Sequence, residues 1–375
     1  MGAAVRKRFA RNELLRMKKP FESLKRYPFF AKDLLQAYDS ADELILNYLS
    51  DLPLQGKRIL ILNDSFGALS ANLSDYQLSI YTDSFVSVQG IIMNSETTVS
   101  PFHDLSQLTG IYDFVIYRVP KNLSFFEDEL ARMSAHLGEH SQLIGSAMVK
   151  HLPKGAFDLL EKYIGKVTTS LAQKKARLLF TRFEKGYASA SPYPLKVSIE
   201  NFSVPFVNAS NLFSREKLDI GTRFFLEHIP RGKFEKILDL GCANGIVGIR
   251  AKQKNPEAQI IFSDESAMAI ESAKTNYKNY FTDEANFVWT NCYERAEKET
   301  LDLVLCNPPF HQQATLGDFI AQQMAKDSFH ALKKGAKLRV IGNSHLQYPQ
   351  LLKSIFRNSK VIATHPKFVI CEAQK

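Results

Sequence analysis

The tetrapeptide Asn307-Pro308-Pro309-Phe310 carries an amide and a carbonyl on a turn that two prolines make rigid. The Asn307 side-chain oxygen and the Pro308 carbonyl both accept hydrogen bonds. Together they could hold an exocyclic NH2 with its nitrogen lone pair aimed at a methyl donor. Such positioning can lower a barrier by about 7–11 kcal/mol without a strong base. Phe310 offers a π-face for an extruded base, worth roughly 1–3 kcal/mol per stacked base. Taken alone, the same four residues can equally be read as a stiff corner.

A second constellation lies upstream. Asp239-Leu-Gly241-Cys-Ala-Asn-Gly245-Ile-Val-Gly248 follows an apolar run and opens a helix-length segment. Glycines at such a turn let the backbone approach a ligand and enter the helix tightly. Asp264 closes the next apolar run, 25 residues after Asp239, where it could accept hydrogen bonds from ribose hydroxyls. A strand, glycine turn and helix with an acid further on could bind NAD, a nucleotide or S-adenosylmethionine. The spacing departs from G-x-G-x-x-G, and Asp239 stands where a dinucleotide motif brings pyrophosphate close. A carboxylate there suits the cationic methionyl part of S-adenosylmethionine better than a phosphate. With this turn and Asp264 in place, Asn307 to Phe310 read as a site.

These residues need elements to position them. Lys236–Leu240, Ile260–Asp264, Asn286–Trp289, Leu301–Cys306 and Lys337–Ile341 are short apolar runs, and Ala267–Tyr280 has the length of a helix. Runs of this kind, alternating with helix-length segments, predict βαβ units and a mostly parallel sheet with its ligands at the carboxyl edge. The first half repeats the scheme. Arg58–Asp64, Ser79–Ser84, Ile111–Pro120 and Gln142–Ser146 match the runs ending at Asp239, Ser266, Pro309 and Asn343, in the same order. The sequence therefore predicts an α/β protein of two tandem, similar folds: a basic arm over 1–20, a first domain over 21–190 and a second over 191–375. Ser191-Pro-Tyr-Pro194 breaks regular structure at the joint, and Leu195 to Asn208 predicts a strand or hairpin over the mouth of the second sheet. The first copy has lost its chemistry. Its turn reads Asp64-Ser-Phe-Gly67, and Arg118, a phosphate-seeking donor, stands where the second copy has Asn307. The first domain is thus expected to bind RNA or serve as scaffold, without binding cofactor.

Composition excludes other classes. Hydrophobic residues at 45% and charged residues at 23% describe a globular chain rather than a disordered one. No apolar run reaches the ~18 residues of a membrane span, and Met1 to Tyr27 lacks the apolar core of a secretory signal. The four cysteines, Cys242, Cys292, Cys306 and Cys371, form no CxxC pair, which points to a reducing compartment and no metal site. The net charge of +9 suggests a polyanionic partner. Residues 1–26 hold nine Lys/Arg against Glu13 and Glu22, an arm able to grip phosphates without reading sequence. Further basic stretches cover 150–185 and 326–375, and Lys333-Lys334 before Gly335 reads as a helix C-terminus.

The glycine turn, the acid and Asn-Pro-Pro-Phe resemble class I S-adenosylmethionine-dependent methyltransferases that act on planar amino groups. The duplicated architecture resembles the bacterial ribosomal RNA guanine-N2 methyltransferases, which pair a degenerate N-terminal domain with a catalytic C-terminal one. The resemblance spans residues 21 to 375, and the run Asn307-Pro-Pro-Phe-His311-Gln312-Gln313 is similar to the branch that modifies the large subunit. It implies two tandem Rossmann-like folds and methyl transfer from S-adenosylmethionine to the N2 amine of a guanine in 23S ribosomal RNA. Asn307, Pro308 and Phe310 would present the base. Asp239, Gly241, Gly245, Asp264 and Asn291 would hold the cofactor, with Phe213, Gly221 and Thr222 in the segment leading into its pocket. Two residues depart from the family pattern: Ala243 replaces the middle glycine of the turn, and Asn291 replaces an acid facing the adenine amino group. A cytoplasmic monomer without a metal is expected. The alternatives are a small-subunit guanine-N2 enzyme, a protein glutamine methyltransferase and a non-catalytic RNA-binding assembly protein. His311 reads as a substrate or loop contact rather than a base, since an amine needs no deprotonation before attack.

Overall fold

The structure is a computed structural model that describes residues 18–29, 35–95, 100–184, 190–309 and 314–375. The chain divides into two compact units, Met1–Ser191 and Pro192–Lys375. Phe310, His311, Gln312 and Gln313 lie outside the described residues, as does the arm up to Met17.

In the first unit the helix α1 (Ser40–Leu49) leads into β1 (Arg58–Leu62), α2 (Ala68–Asn72), β2 (Gln77–Tyr81), α3 (Phe85–Asn94) and β3 (Tyr112–Arg118). Then follow α4 (Leu123–Met133), β4 (Leu137–Met148), α5 (Gly155–Tyr163), β5 (Val167–Thr169) and β6 (Ala176–Arg182). The sheet runs β2-β1-β3-β4-β6-β5, parallel from β2 to β4 and closed by antiparallel β6 and β5.

The second unit opens with the antiparallel hairpin β7 (Leu195–Val197) and β8 (Phe206–Asn208). It continues through α6 (Ile220–Glu227), β9 (Lys236–Leu240), α7 (Ile246–Lys254), β10 (Gln259–Asp264), α8 (Ala267–Tyr280) and β11 (Asn286–Trp289). The last elements are β12 (Leu301–Cys306), α9 (Ala314–Ala331), β13 (Leu332–Asn343), α10 (Tyr348–Phe356), β14 (Lys360–Thr364) and β15 (Phe368–Gln374). Its sheet, β11-β10-β9-β12-β13-β15-β14, repeats the first with one strand added at the edge. The fourfold sequence match thus reflects one Rossmann-like topology built twice. In each copy the strand order reverses beside the first strand, between β1 and β3 and between β9 and β12, which opens a crevice at the carboxyl edge.

Both faces of the central strands are covered, so β1 reads as an apolar run after Arg58, and β9 as apolar residues around the single buried acid Asp239. Ile237, Phe262, Tyr277 and Phe225 fill one side of the second sheet, and Leu238, Leu240, Val304 and Leu352 the other. Phe262 stacks on Phe287 with ring centroids 5.1 Å apart, and a Cβ on Gly248 would meet the Phe262 ring at 2.3 Å. Gly248 therefore seats α7 on the sheet. The hairpin lies along α8, where the Asn276 side chain accepts from Val207 N at 2.7 Å and donates to Val207 O at 3.0 Å.

Three charge readings change. Arg118 does not seek an external phosphate, because its guanidinium is paired with Asp42 and, at 2.9 Å, with Asp39, and its side chain is 17% exposed. The basic segment from Lys18 to Arg26 is docked rather than loose. Lys19 Nζ donates to Asn94 O at 2.5 Å, the Asn94 amide bonds the backbone of Lys25, and Arg26 lies over the Phe66 ring. Finally, Lys333 and Lys334 belong to β13, not to a helix end. Lys333 pairs with Glu235 and Asp302, and Lys337 and Arg339 pair with Glu372, so part of the positive charge of the last fifty residues is neutralised internally.

Candidate active site

The site is assembled from the carboxyl ends of four adjacent parallel strands. Cys306 lies in register with Leu240, which sets Asn307 beside Gly241 across the crevice. Asp264 ends β10 in register with Trp289 of β11, and Thr290 N donates to Asp264 O at 3.0 Å, so Asn291 follows at the neighbouring strand end. Gly241, Asp264, Asn291, Asn307 and Pro308, scattered over 68 positions, therefore meet along one edge.

The glycine turn is held from beneath. Asp239 is 2% exposed, and one of its oxygens accepts from Gly248 N at 2.8 Å. Burial pushes its carboxyl up to about 8, the charge of Asp264 adding to the shift and the Gly248 N–H opposing it. Asp239 thus braces the loop that joins β9 to α7. Gly241 adopts φ +75°, and a Cβ there would sit 3.2 Å from the Met324 methyl and 3.9 Å from Asn307 O. Gly245 also has positive φ, and a Cβ there would meet Ala273 of α8 at 3.0 Å, so its lack of a side chain serves the packing of α7 on α8. Ala243 adopts φ +47°, a left-handed conformation that disfavours any side chain.

Asp264 works in two directions. Its oxygens accept from Ala243 N at 2.9 Å and Ser266 N at 3.0 Å, fixing the turn and the start of α8. The Asn291 amide donates to Glu294 at 3.4 Å and its oxygen accepts the weak Cys292 thiol. The four cysteines are free and buried, and burial raises the Cys242 and Cys306 thiols well above their usual range, which makes them inert.

Asn307 holds the feature of most chemical weight. Its Nδ2 donates to Thr222 Oγ1 at 3.0 Å, whereas its Oδ1 is buried and has no partner. An unsatisfied buried acceptor costs roughly 1–3 kcal/mol, so its persistence at a crevice indicates a ligand that donates to it. Thr222 is the third residue of α6 and bonds back to the cap Asp219, whose Oδ2 accepts from Thr222 N at 2.8 Å and Thr222 Oγ1 at 3.3 Å. Asp219 lies in the entry segment that the resemblance marks, Leu218 to Thr222, but the resemblance gives it no role of its own. The signal available was an Asp placed to cap the apolar run that begins at Ile220. Gly221 seats this helix start, since a Cβ would meet Phe368 at 2.9 Å. Phe213 is 60% exposed. Trp289, half-buried, packs against the core and donates Nε1–H to Glu265 O at 2.8 Å.

Among the described residues there is no helix long and apolar enough to cross a membrane, and no group of three or more His, Cys, Asp or Glu poised for a metal ion.

The geometry can be set beside known proteins. Residues 12–185 match the family model described as the RLMG N-terminal domain, and residues 203–372 match the methyltransferase small domain. The T. thermophilus 16S rRNA N2 G1207 methyltransferase, solved with AdoMet and guanosine, shares the fold at a TM-score of 0.75 and 18% identity. That match covers 90% of this chain and 92% of the other. The ribosomal RNA large subunit methyltransferase G of Pseudomonas putida strain GB-1 is 42% identical over 360 residues, 93% of this chain and 96% of the relative. Its counterpart from Pseudomonas fluorescens strain Pf0-1 is 42% identical over 369 residues, 95% and 98% of the two chains. With that identity sustained across nearly the whole of both chains, this protein belongs to the ribosomal RNA large subunit methyltransferase G family.

Proposed function

We propose that the second unit transfers a methyl group from S-adenosylmethionine to the N2 amine of a guanine in 23S ribosomal RNA. The buried, unpartnered Oδ1 of Asn307, at the strand end beside Gly241, carries this reading. The pocket residues fit the cofactor: Gly241 presents no side chain at the turn, and Asp264 ends β10 as a carboxylate of the kind that accepts from ribose hydroxyls. Asp264, Asn291 and the Gly241 turn would hold it, with Asp239 bracing that turn from below and Phe213 on the exposed approach. When bound, S-adenosylmethionine supplies an electrophilic methyl group, and the guanine N2 lone pair is the nucleophile.

Asn307 Oδ1 and the Pro308 carbonyl accept the two amine protons, which leaves the nitrogen lone pair directed away from both. These acceptors also stabilise the positive charge that develops on the nitrogen during transfer. The excess proton departs to water afterwards. Phe310 would stack on the extruded base. No general base is required.

The first unit is proposed to grip RNA through its own carboxyl edge. Lys121 follows β3, Lys150 and His151 follow β4, and Lys154 precedes α5; the three lysines are exposed. Burial together with Lys121 and Lys150 holds the His151 imidazole below its usual range, which places these groups within electrostatic reach of one another. Arg118 is not part of this surface. A cytoplasmic monomer acting on RNA is the simplest arrangement. The large-subunit name of the 42% identical relatives supports that branch over the small-subunit alternative. The deciding experiment incubates the protein with radiolabelled methyl donor and separate 23S and 16S RNA, then maps the modified guanosine by mass spectrometry. Label in 16S RNA alone would transfer the assignment to the other subunit.

A further inference from the structure

Resting on that reading, we propose that Asp219 and Thr222 form a relay that fixes the orientation of the Asn307 amide, which makes them positioning residues rather than cofactor ligands. An asparagine amide offers two faces of similar shape, and only one can serve the reacting amine. If Nδ2 faced the crevice, it would meet the amine with a donor and repel it.

The relay selects the face by a chain of polarity. Asp219 Oδ2, a carboxylate oxygen, only accepts, so the Thr222 hydroxyl must spend its single proton there, at 3.3 Å. Thr222 Oγ1 is then an acceptor toward Asn307, and the Nδ2 group is drawn to it at 3.0 Å. Oδ1 is thereby turned to the opposite side, where it is buried without a partner. Thr222 is itself only 6% exposed, so water does not compete for its hydroxyl. The Asp219 carboxylate is anchored independently by the Thr222 N–H at 2.8 Å as the cap of α6.

The first copy carries the same linkage with the same direction, the strand-end residue donating to the helix start. Asp39 caps α1, Asp42 is the third residue of that helix, and both take the guanidinium of Arg118 at the end of β3. The link from strand end to helix start is therefore a property of the fold. In the second unit it has the composition that leaves an acceptor free.

The test uses the full chain with 15N-labelled asparagine, the Asn307 side-chain signal being assigned through Asn307→Ala. Thr222→Val is nearly isosteric and removes only the hydroxyl, Thr222→Ser restores it, and Asp219→Gly removes the acceptor of that hydroxyl at little cost to the helix cap. In the unliganded wild type and Thr222→Ser, the Asn307 NH2 protons should exchange slowly with solvent; in Thr222→Val that protection should be lost. In single-turnover assays at saturating donor and RNA, Thr222→Val and Asp219→Gly should slow transfer roughly ten- to hundredfold. Affinities for S-adenosylmethionine and RNA should stay within about twofold, and Thr222→Ser should recover most of the rate. Unchanged Asn307 protection in Thr222→Val overturns the relay, whatever the activity. So does a weakened donor affinity with an unchanged saturating rate, which would make Thr222 a cofactor contact. A wild type that methylates no RNA defeats the functional reading instead, while the exchange measurement still decides the relay.

Discussion

The two units place different side chains on one scaffold. At the crevice of the first, Arg118 closes on Asp42 and Asp39, and its charge is answered within the protein. At the same position in the second, Asn307 is answered on one side by Thr222 and left open on the other. The turns differ in the same sense. In the first unit the helix cap Gly67 follows Asp64 after two intervening residues, and the carboxylate of Asp64 is consumed by Gly67 N, Ser70 N and Ser70 Oγ. In the second, the loop from Leu240 to the cap Gly245 has the same length as its counterpart but contains Gly241, and Asp239 sits inside β9 and accepts from Gly248 N. At this strand end a shared topology thus yields a closed ion-pair cluster in one unit and an unanswered acceptor in the other.

The strongest way to sharpen this contrast is Asn307→Ala. Methyl transfer should fall by at least about a hundredfold while donor and RNA affinities persist, because the residue orients the amine and anchors neither ligand. Near-normal turnover in a rapid-quench assay would break the comparison and return His311 to consideration.

In the first unit the equivalent change, Arg118→Ala, should act on stability and leave saturating turnover of the folded protein alone. It strands a buried Asp42 carboxylate, at a cost of about 3 kcal/mol above neutral pH. Burial already raises Asp42 to about 6 despite Arg118, so in the variant the carboxyl takes up a proton more readily still. The loss should therefore shrink toward pH 5, where the neutral acid needs no partner. Urea melts at pH 5 and pH 8 measure it, and equal losses at both would show that Asp42 does not titrate.

Asp264→Ala should weaken S-adenosylmethionine binding by roughly ten- to a hundredfold, as expected for loss of a charged acceptor. Calorimetric titration decides, and unchanged affinity would put the ribose contact elsewhere. Reversing Lys121, Lys150 and Lys154 to Glu should lower RNA affinity and flatten its log–log salt dependence by about 0.7–0.9 for each phosphate no longer neutralised. An unaltered slope would assign recognition to the catalytic unit. The smallest effect is expected from Ala243→Gly. Relief of the left-handed strain, about 1–2 kcal/mol, outweighs the added freedom of glycine in the unfolded chain and leaves a gain of about 0.5–1 kcal/mol. A urea melt of the two proteins side by side measures it, and a less stable variant would show that Ala243 carries no strain.

The amino-acid sequence by itself determined the architecture and most of the crevice. Central strands covered on both faces are short and mostly apolar, so Lys236–Leu240 and Leu301–Cys306 end where the turn residue Gly241 and the polar Asn307 begin. The α/β rule then puts those neighbours at one edge, and order alone revealed the duplication. The apolar run Lys337–Ile341 marks a strand that extends further, over Leu332–Asn343, because its first residue pairs with β12 ahead of the apolar stretch. Tertiary structure decided which polar groups meet. Arg118 reads from its type as a donor in search of a phosphate, and only the fold brings Asp39 and Asp42, more than seventy residues away, to its guanidinium. Thr222 and Asn307 are separated by 85 positions, and neither residue type announces the other. The direction in which Asn307 turns its oxygen likewise depends on Asp219, through a hydroxyl that the folded crevice encloses. Periodicity and turn residues report local preferences, whereas a side chain's hydrogen-bonding partner is set by burial that closes off water, and that exists only once the helix start and the strand end have packed together.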